Sequence, residues 1–218
     1  MLFAAGKGTR MGDLTKDRPK PMIEVAGKPL IDHALQIANA ADVGPIVVNL
    51  HYLPQLLQAH LSGQGIVFSD ETDGLLETGG GLRKALPLLC SNPVLTMNTD
   101  AVWNGPNPIE TLKNAWQPQM EALLLLVKKQ NVSGHLGAGD FGINAEGHLH
   151  RAPDLIYTGV QIIRTDVLSE ITEDAFSMNL AWDIIGKRNG LFGAVYDGKW
   201  CDVGQPSSIP LAEAMLHV

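Results

Sequence analysis

The sequence contains little cysteine and no long hydrophobic run. Its two cysteines, Cys90 and Cys201, lie far apart in the chain and do not form the framework of a disulfide-rich protein. No apolar stretch approaches the ~20 residues that a membrane-spanning helix needs, and the sequence shows no signal peptide. These absences exclude disulfide-rich secreted and membrane-spanning classes, and they predict a cytoplasmic protein with no membrane partner.

Positive charge is also scarce. The chain has 16 Lys and Arg residues against 23 Asp and Glu residues, which gives a formal net charge of −7. Binding to nucleic acid usually requires a basic stripe, so we expect no nucleic-acid partner. The basic residues near the N-terminus, Lys7, Arg10 and Lys20, stand out against this acidic background. They indicate a small anionic substrate.

The order of apolar patterns indicates the fold class. Residues 45–50 and 65–68 read as buried strands, and residues 54–61 between them have a helical pattern that opens on Pro54. Strand–helix alternation of this kind predicts an α/β protein with three αβα layers and a doubly wound, mostly parallel mixed sheet. The 218 residues suffice for one domain that buries roughly 70% of its unfolded surface. No repeat or linker divides the chain.

An apolar run at the start of the chain breaks into small and basic residues. Glycine and alanine let a ligand approach the backbone, whose N–H groups can point at anionic oxygens. Prolines on both sides of Lys20 fix the chain direction there, so its side chain is expected to be held in place. The segment therefore predicts a polyphosphate-binding loop, made of Ala4, Ala5, Gly6, Lys7, Gly8 and Thr9 with Arg10 and Lys20 nearby.

Two widespread phosphate-binding motifs do not fit this loop. The dinucleotide motif G-x-G-x-x-G requires a third glycine at position 11, where the chain has Met11. The P-loop requires Ser or Thr directly after its lysine, and Gly8 follows Lys7. A nicotinamide-dependent oxidoreductase is therefore disfavoured, although it remains a third functional class to test.

Three consecutive glycines, residues 79–81, follow Glu77 and Thr78 at the start of a helical pattern. Glycine costs a helix about 1 kcal/mol relative to alanine, so these glycines are not explained by helix stability. We expect them to let a flat group such as a nucleobase approach the backbone, with Thr78 capping the helix.

Two carboxylates are candidate magnesium ligands. Asp100 ends the apolar strand pattern of residues 94–100, at the face where parallel sheets place ligands. Asp202 lies in the segment Trp200-Cys201-Asp202-Val203-Gly204. Magnesium is bound through carboxylate oxygens, so the position of Asp100 at a strand end predicts a Mg²⁺ ligand.

Together these segments resemble the sugar nucleotidyltransferases with a GT-A-like fold. The resemblance rests on the glycine loop with its Arg10, on the Pro-Lys-Pro step at residues 19–21 and on the segment around Asp202. Asp13 and Thr99 depart from the family pattern, which usually has proline and glycine there. The run of residues 76–81 looks most like the form found in N-acetylmuramate-1-phosphate uridylyltransferases.

The resemblance implies a reaction and the roles of individual residues. A sugar-1-phosphate oxygen attacks the α-phosphorus of a nucleoside triphosphate and pyrophosphate leaves, with UTP and N-acetylmuramate 1-phosphate as the expected substrates. Residues 1–105 would bind the nucleotide and residues 106–218 the sugar phosphate. The implied roles are catalysis by Lys20 and Arg10, nucleotide binding by the glycine loop with Glu77, Thr78, Gly79 and Gly80, sugar binding by Asp140, Thr158 and Gly159, and Mg²⁺ binding by Asp100 and Asp202.

Alternatives remain open within and outside this class. Mannose-1-phosphate guanylyltransferase is the second interpretation. A nucleotide-binding regulatory protein without catalysis is the third, because the departures at Asp13 and Thr99 both lie beside the expected reacting phosphates. The sequence does not predict the oligomeric state.

Overall fold

The computed structural model describes residues 1–217, and position 218, the last of the predicted sugar-binding part, lies outside the described residues. The strands are β1 Leu2–Phe3, β2 Glu24–Val25, β3 Lys28–Pro29, β4 Val47–Leu50, β5 Val67–Asp70, β6 Val94–Asn98, β7 Ala101–Asn104, β8 Ala122–Lys128, β9 Val132–Ser133, β10 Phe141–Ile143, β11 Leu149–Arg151, β12 Leu155–Ile163, β13 Leu191–Tyr196 and β14 Lys199–Asp202. The helices are α1 Leu30–Ala40, α2 Pro54–His60, α3 Glu77–Leu89, α4 Pro108–Ala115, α5 Met178–Lys187 and α6 Ser208–Leu216. Short 3₁₀ helices occupy Thr9–Thr15, Lys20–Met22, Lys129–Asn131 and Thr165–Glu170.

The main sheet joins a parallel part to an antiparallel part. Strands β6, β1, β4 and β5 are neighbours in that order and run parallel. Strand β12 pairs antiparallel with both β6 and β8, and β13 continues the sheet parallel to β8. The predicted α/β fold with a large mixed sheet is confirmed.

Strand β8 shows why helices cover both faces of the sheet. Its residues Leu123, Leu125 and Val127 belong to the core under α1, α2 and α4, whereas Leu124 and Leu126 belong to the core under α3 and α5. Successive strand residues point to opposite faces, so an uninterrupted apolar run marks a strand that is covered on both sides. This alternation gives the three αβα layers.

A small second sheet places a strand from the C-terminal part of the chain next to Asp100. Strand β14 lies between β7 and β9, and its last residue, Asp202, is opposite Ala101. The Val203 N–H donates to the Asp100 carbonyl at 2.8 Å. Strand β7 was not predicted from the sequence, yet it is this strand that brings the two candidate magnesium ligands together.

The carboxyl ends of β1, β4, β5 and β6 meet at one edge of the sheet, which is where parallel sheets bind ligands.

Among residues 1–217, no helix combines the length and the apolar character required to cross a membrane.

Candidate active site

A cavity of about 340 Å³ opens at this carboxyl edge. Its walls are formed by the residues that follow β1, β4, β5 and β6, together with Lys20 and the start of α3. The lining residues are Phe3, Ala4, Ala5, Gly6, Lys20, Pro21, Asn49, Glu71, Leu75, Glu77, Thr78, Asn98, Thr99, Asp100 and Ser177.

The glycine loop leaves the sheet at the end of β1. Ala4 and Ala5 are buried, and the Ala4 N–H donates to Asn49 Oδ1 at 2.7 Å. Gly6 reaches the cavity, whereas Lys7, Gly8, Thr9 and Arg10 continue the loop outside its lining. Because Ala4 is tied to the neighbouring strand, the position of the following backbone is fixed by the sheet.

Gly8 explains how Lys20 is held against this loop. Its φ is +64°, and a Cβ atom built there would lie 2.8 Å from Lys20 Cβ. Only glycine adopts this conformation freely and leaves the space that the lysine fills. Lys20 opens the 3₁₀ helix Lys20–Met22, and its residue surface is 9% exposed.

The buried lysine and the first candidate metal ligand form an ion pair. Lys20 Nζ lies 2.7 Å from Asp100 Oδ2, and the two side chains are 11% and 33% exposed. The Thr99 hydroxyl donates to the Phe3 carbonyl at 2.8 Å, so this departure from the family pattern ties the Asp100 strand end to β1. The predicted juxtaposition of Lys20, Asp100 and the glycine loop is present.

Asp202 lies beside this pair. Burial, followed by the charge of Asp100, raises the pKa of the Asp202 carboxyl, while Lys20 and His135 act in the opposite direction. His135 Nδ1 lies 3.3 Å from Asp202 Oδ2. The Arg10 guanidinium reaches the same corner, since its terminal nitrogens lie 3.3 Å from the position of a Cβ on Gly204.

Two buried polar residues in the cavity were missed from the sequence. Glu71 is 0% exposed, and its Oε1 accepts a hydrogen bond from Asn49 Nδ2 at 2.7 Å. Its Oε2 lies 3.3 Å from the Leu76 N–H. Asn49 belongs to β4 and Glu71 directly follows β5, so the rule that ligands gather at strand carboxyl ends could have found both.

Gly79 and Gly80, the first two of the three glycines at the start of α3, have a different reason from the predicted one, whereas a Cβ on Gly81 would lie 2.6 Å from Glu71 Oε1. A Cβ on Gly79 would collide with the Phe176 ring, and one on Gly80 would collide with the Asp174 carbonyl. The N–H groups of Gly79 and Gly80 both point at the Phe176 carbonyl, at 2.8 and 3.2 Å. Their missing side chains therefore make room for the protein's own segment 174–176, and neither glycine lines the cavity.

Glu77 and Thr78, by contrast, do line the cavity. The expected helix cap by Thr78 is wrong, because α3 already begins at Glu77 and has no side-chain cap. The Thr78 hydroxyl instead accepts a hydrogen bond from the Met178 N–H at 3.0 Å. This bond ties the start of α3 to the start of α5.

A second cavity, of about 200 Å³, continues from the first across the residues that line both, Phe3, Thr78, Asn98 and Ser177. Asp140, a predicted sugar ligand, lines it, and Asp140 Oδ2 accepts a hydrogen bond from the Tyr157 N–H at 2.8 Å. The other lining residues are Phe141, Arg151, Tyr157, Gln161, Met178, Asn179 and Trp182.

The other two predicted sugar ligands serve packing. Thr158 is 1% exposed and its hydroxyl donates to the Leu125 carbonyl at 2.8 Å, so the predicted contact of this side chain with a sugar is wrong. Gly159 has a φ of +84°, and a Cβ there would lie 2.7 Å from Asn98 Nδ2. The space beside Gly159, expected to admit a ligand, is filled by the Asn98 side chain.

Similar proteins carry the same domain over most of this chain. The MobA-like NTP transferase domain matches residues 1–170. The N-acetylmuramate alpha-1-phosphate uridylyltransferase of Caulobacter vibrioides is 38% identical over 99% of this chain and 96% of its own length. The enzyme of the same name from Neisseria meningitidis serogroup B is 32% identical, with the same coverage of 99% and 96%.

More distant matches agree with this result. The mannose-1-phosphate guanyltransferase of Yarrowia lipolytica is 28% identical over 94% of this chain and 60% of its own length. The crystal structure of HddC from Yersinia pseudotuberculosis, complexed with GMP-PN, has the same fold, with a TM-score of 0.79 and 20% identity over 99% of this chain and 97% of that one. The chain belongs to the MobA-like NTP transferase family of nucleotidyltransferases.

Proposed function

We propose that the protein joins UTP to N-acetylmuramate 1-phosphate and releases pyrophosphate. A phosphate oxygen of the sugar phosphate forms a bond to the α-phosphorus of UTP, and the bond from that phosphorus to the bridging oxygen of the β-phosphate breaks. The observation that carries the proposal is the contact of Lys20 with Asp100 at 2.7 Å, at the mouth of the glycine loop. The two uridylyltransferase relatives supply the choice of substrates.

The chain's own residues would act by positioning and by neutralising charge. The attacking phosphate is already an anion, so no side chain has to remove a proton from it. Lys20 would stabilise the negative charge that builds at the α-phosphate, because its ammonium is held in place and largely shielded from water. Arg10 and the backbone N–H groups of residues 6–9 would hold the leaving pyrophosphate.

The carboxylates fit a magnesium ion. Mg²⁺ is typically bound by one or two carboxylates together with substrate phosphates. Asp100 and Asp202 supply two, and burial, followed by the neighbouring charge of Asp100, raises the pKa of the Asp202 carboxyl. Among residues 1–217 no further acid, His or Cys completes a protein cluster of three. When bound, the ion would neutralise the α-phosphate and orient both reactants.

The first cavity would hold the nucleotide and the second the sugar. We assign the nucleobase to the side of Glu77 and Thr78, with Gly79 and Gly80 setting the position of this helix start against segment 174–176. Asp140 would bind a sugar hydroxyl in the second cavity.

The two free cysteines are consistent with the reducing cytoplasm that we propose for this reaction.

A matrix of pyrophosphate-release assays tests the proposal. Each of the four nucleoside triphosphates is combined with glucose, mannose, N-acetylglucosamine and N-acetylmuramate 1-phosphates in the presence of Mg²⁺. We expect the highest kcat/KM for UTP with N-acetylmuramate 1-phosphate. A maximum for GTP with mannose 1-phosphate would favour the second interpretation, which the Yarrowia lipolytica relative supports. Triphosphate binding without pyrophosphate release in any combination would indicate the regulatory protein.

A further inference from the structure

Arg151 stands on the wall of the second cavity in a fixed position. It ends β11, opposite Phe141 of β10. Its guanidinium carbon lies 4.6 Å from the centre of the Phe141 ring and 5.9 Å from that of Trp182. Aromatic faces hold a guanidinium plane in one orientation while leaving its N–H edges available. No motif in the sequence indicates a role for this arginine.

One edge of the guanidinium is already engaged. Arg151 Nη2 donates to Asp183 Oδ1 at 2.9 Å, and the two side chains are 47% and 54% exposed. Within residues 1–217, this is the hydrogen bond that the Arg151 side chain makes to another residue. An arginine has five N–H donors. The remaining donors can therefore bind a ligand in the cavity, and Asp183 sets the direction in which they point.

A buried donor lies in the same cavity. Gln161 is 0% exposed, and its Oε1 accepts a hydrogen bond from Trp182 Nε1 at 2.7 Å, which fixes the orientation of the amide. Its Nε2 has no hydrogen-bond partner among the described residues, and Gln161 lines the cavity. A buried donor without a partner is costly, so the cavity is suited to a ligand that brings acceptor oxygens.

The position of Arg151 separates it from the reacting phosphates. The 1-phosphate of the sugar has to reach Lys20 and Asp100, which line the first cavity and not the second. N-acetylmuramate differs from N-acetylglucosamine by a lactyl ether that carries a carboxylate. From these contacts we infer that Arg151 binds this carboxylate and selects sugar phosphates that carry one, with Gln161 donating to an acceptor oxygen of the same substrate. The inference rests on the proposed function.

The experiment compares two substrates that differ only in the lactyl group. Initial rates of pyrophosphate release from UTP are measured with N-acetylmuramate 1-phosphate and with N-acetylglucosamine 1-phosphate, for the wild type and Arg151→Met. We expect kcat/KM for the carboxylated substrate to fall about 30- to 100-fold, mainly through KM, because a charge-assisted bond is lost. For the analogue that lacks the carboxylate we expect a change of less than about 3-fold, since its contacts remain.

Arg188→Met is the matched control. Arg188 forms an ion pair of the same length, 2.9 Å to Glu170, with similar exposures of 42% and 46%, and it lines neither cavity. Its substitution should leave both rates unchanged. Arg151→Lys should recover only part of the kcat/KM that Arg151→Met loses on N-acetylmuramate 1-phosphate, because an ammonium lacks the planar fork of N–H donors.

Three outcomes would overturn the inference. An equal loss on both substrates in Arg151→Met would place the arginine on the 1-phosphate or the sugar ring. No loss on either substrate would remove it from the site. Absence of wild-type turnover with N-acetylmuramate 1-phosphate would overturn the proposed function as well, so the two failures are distinguishable.

Discussion

The two cavities hold their functional groups by different means. In the first, charged residues are fixed by backbone geometry: Lys20 packs against the Gly8 bend and pairs with Asp100 at a strand end. In the second, polar residues are fixed by side chains from other elements, as Trp182 orients Gln161 and Asp183 orients Arg151. The first cavity is therefore built largely from loops at strand ends, whereas the second depends on packing among β11, β12 and α5.

This difference predicts where substitutions act. Changes in the first cavity should lower turnover without unfolding the protein, because its charged groups lie on loops at the edge of the sheet. Changes at the packing residues of the second part, and at the glycines that contact it, should lower stability before they affect chemistry. Four predictions test this contrast, from the largest effect to the smallest.

The first prediction concerns Asp100. Asp100→Asn should lower kcat by about 10³-fold or more, because the amide removes a charge that pairs with Lys20 and that we propose as a ligand of Mg²⁺. Pyrophosphate release measures kcat, and circular dichroism checks that the fold is retained. Asp197→Asn, an exposed carboxylate after β13, is the control and should be as active as the wild type. Activity of Asp100→Asn within about 10-fold of the wild type would contradict the assigned role.

The second prediction concerns Lys20. Lys20→Ala should lower kcat about 10²-fold. The substitution removes a fixed positive charge that we propose stabilises the negative charge developing on the α-phosphate. The KM for the sugar phosphate should change much less. Lys113→Ala is the control, because Lys113 forms an ion pair with Glu110 on α4, away from both cavities. A loss confined to KM would show that Lys20 binds substrate without stabilising the transition state.

The sequence predicts the first cavity better than the second, for a physical reason. Lys20 and Asp100 line the first cavity, and both were recognisable from the sequence: Lys20 lies between two prolines, and Asp100 follows an apolar strand pattern. The side-chain direction of Thr158 could not be predicted from the sequence, because a bulge between Tyr157 and Gln161 shifts the register of β12 against β8. A bulge changes which face a side chain points to, and the alternating pattern does not reveal it.

The fold was predictable to a similar degree. Apolar patterns predicted strands β4, β5 and β6 and helices α2 and α3, and the predicted mixed sheet is confirmed. The structural role of the glycines at 79–81 was not predictable. A glycine that makes room for a ligand and one that makes room for a side chain such as Phe176 look alike in the sequence. Glu71 was missed because an acidic residue in a polar stretch does not reveal that it is 0% exposed, although its place directly after β5 was a usable signal.

The third prediction tests the reason given for the glycines. Gly79→Ala should lower the free energy of unfolding by about 2–3 kcal/mol, because its methyl group would overlap the Phe176 ring and carbonyl. Urea denaturation measures the change. Gly74→Ala is the control, since nothing lies within 4 Å of a Cβ at that position. If Gly79→Ala is as stable as the wild type but has a raised KM for UTP, the glycine serves the nucleotide and not the packing.

The smallest effect is expected at Thr158. Thr158→Val keeps the shape of the side chain but removes the hydroxyl that donates to the Leu125 carbonyl at 2.8 Å. Because a buried acceptor loses its partner, the free energy of unfolding should fall by about 1–2 kcal/mol, measured by urea denaturation. Thr158→Ser retains the hydroxyl and should recover most of this loss. The KM for the sugar phosphate should stay within about 2-fold of the wild type in both variants, since the hydroxyl faces the core. A raised KM in Thr158→Val with unchanged stability would return Thr158 to the sugar site and weaken the contrast between the two cavities.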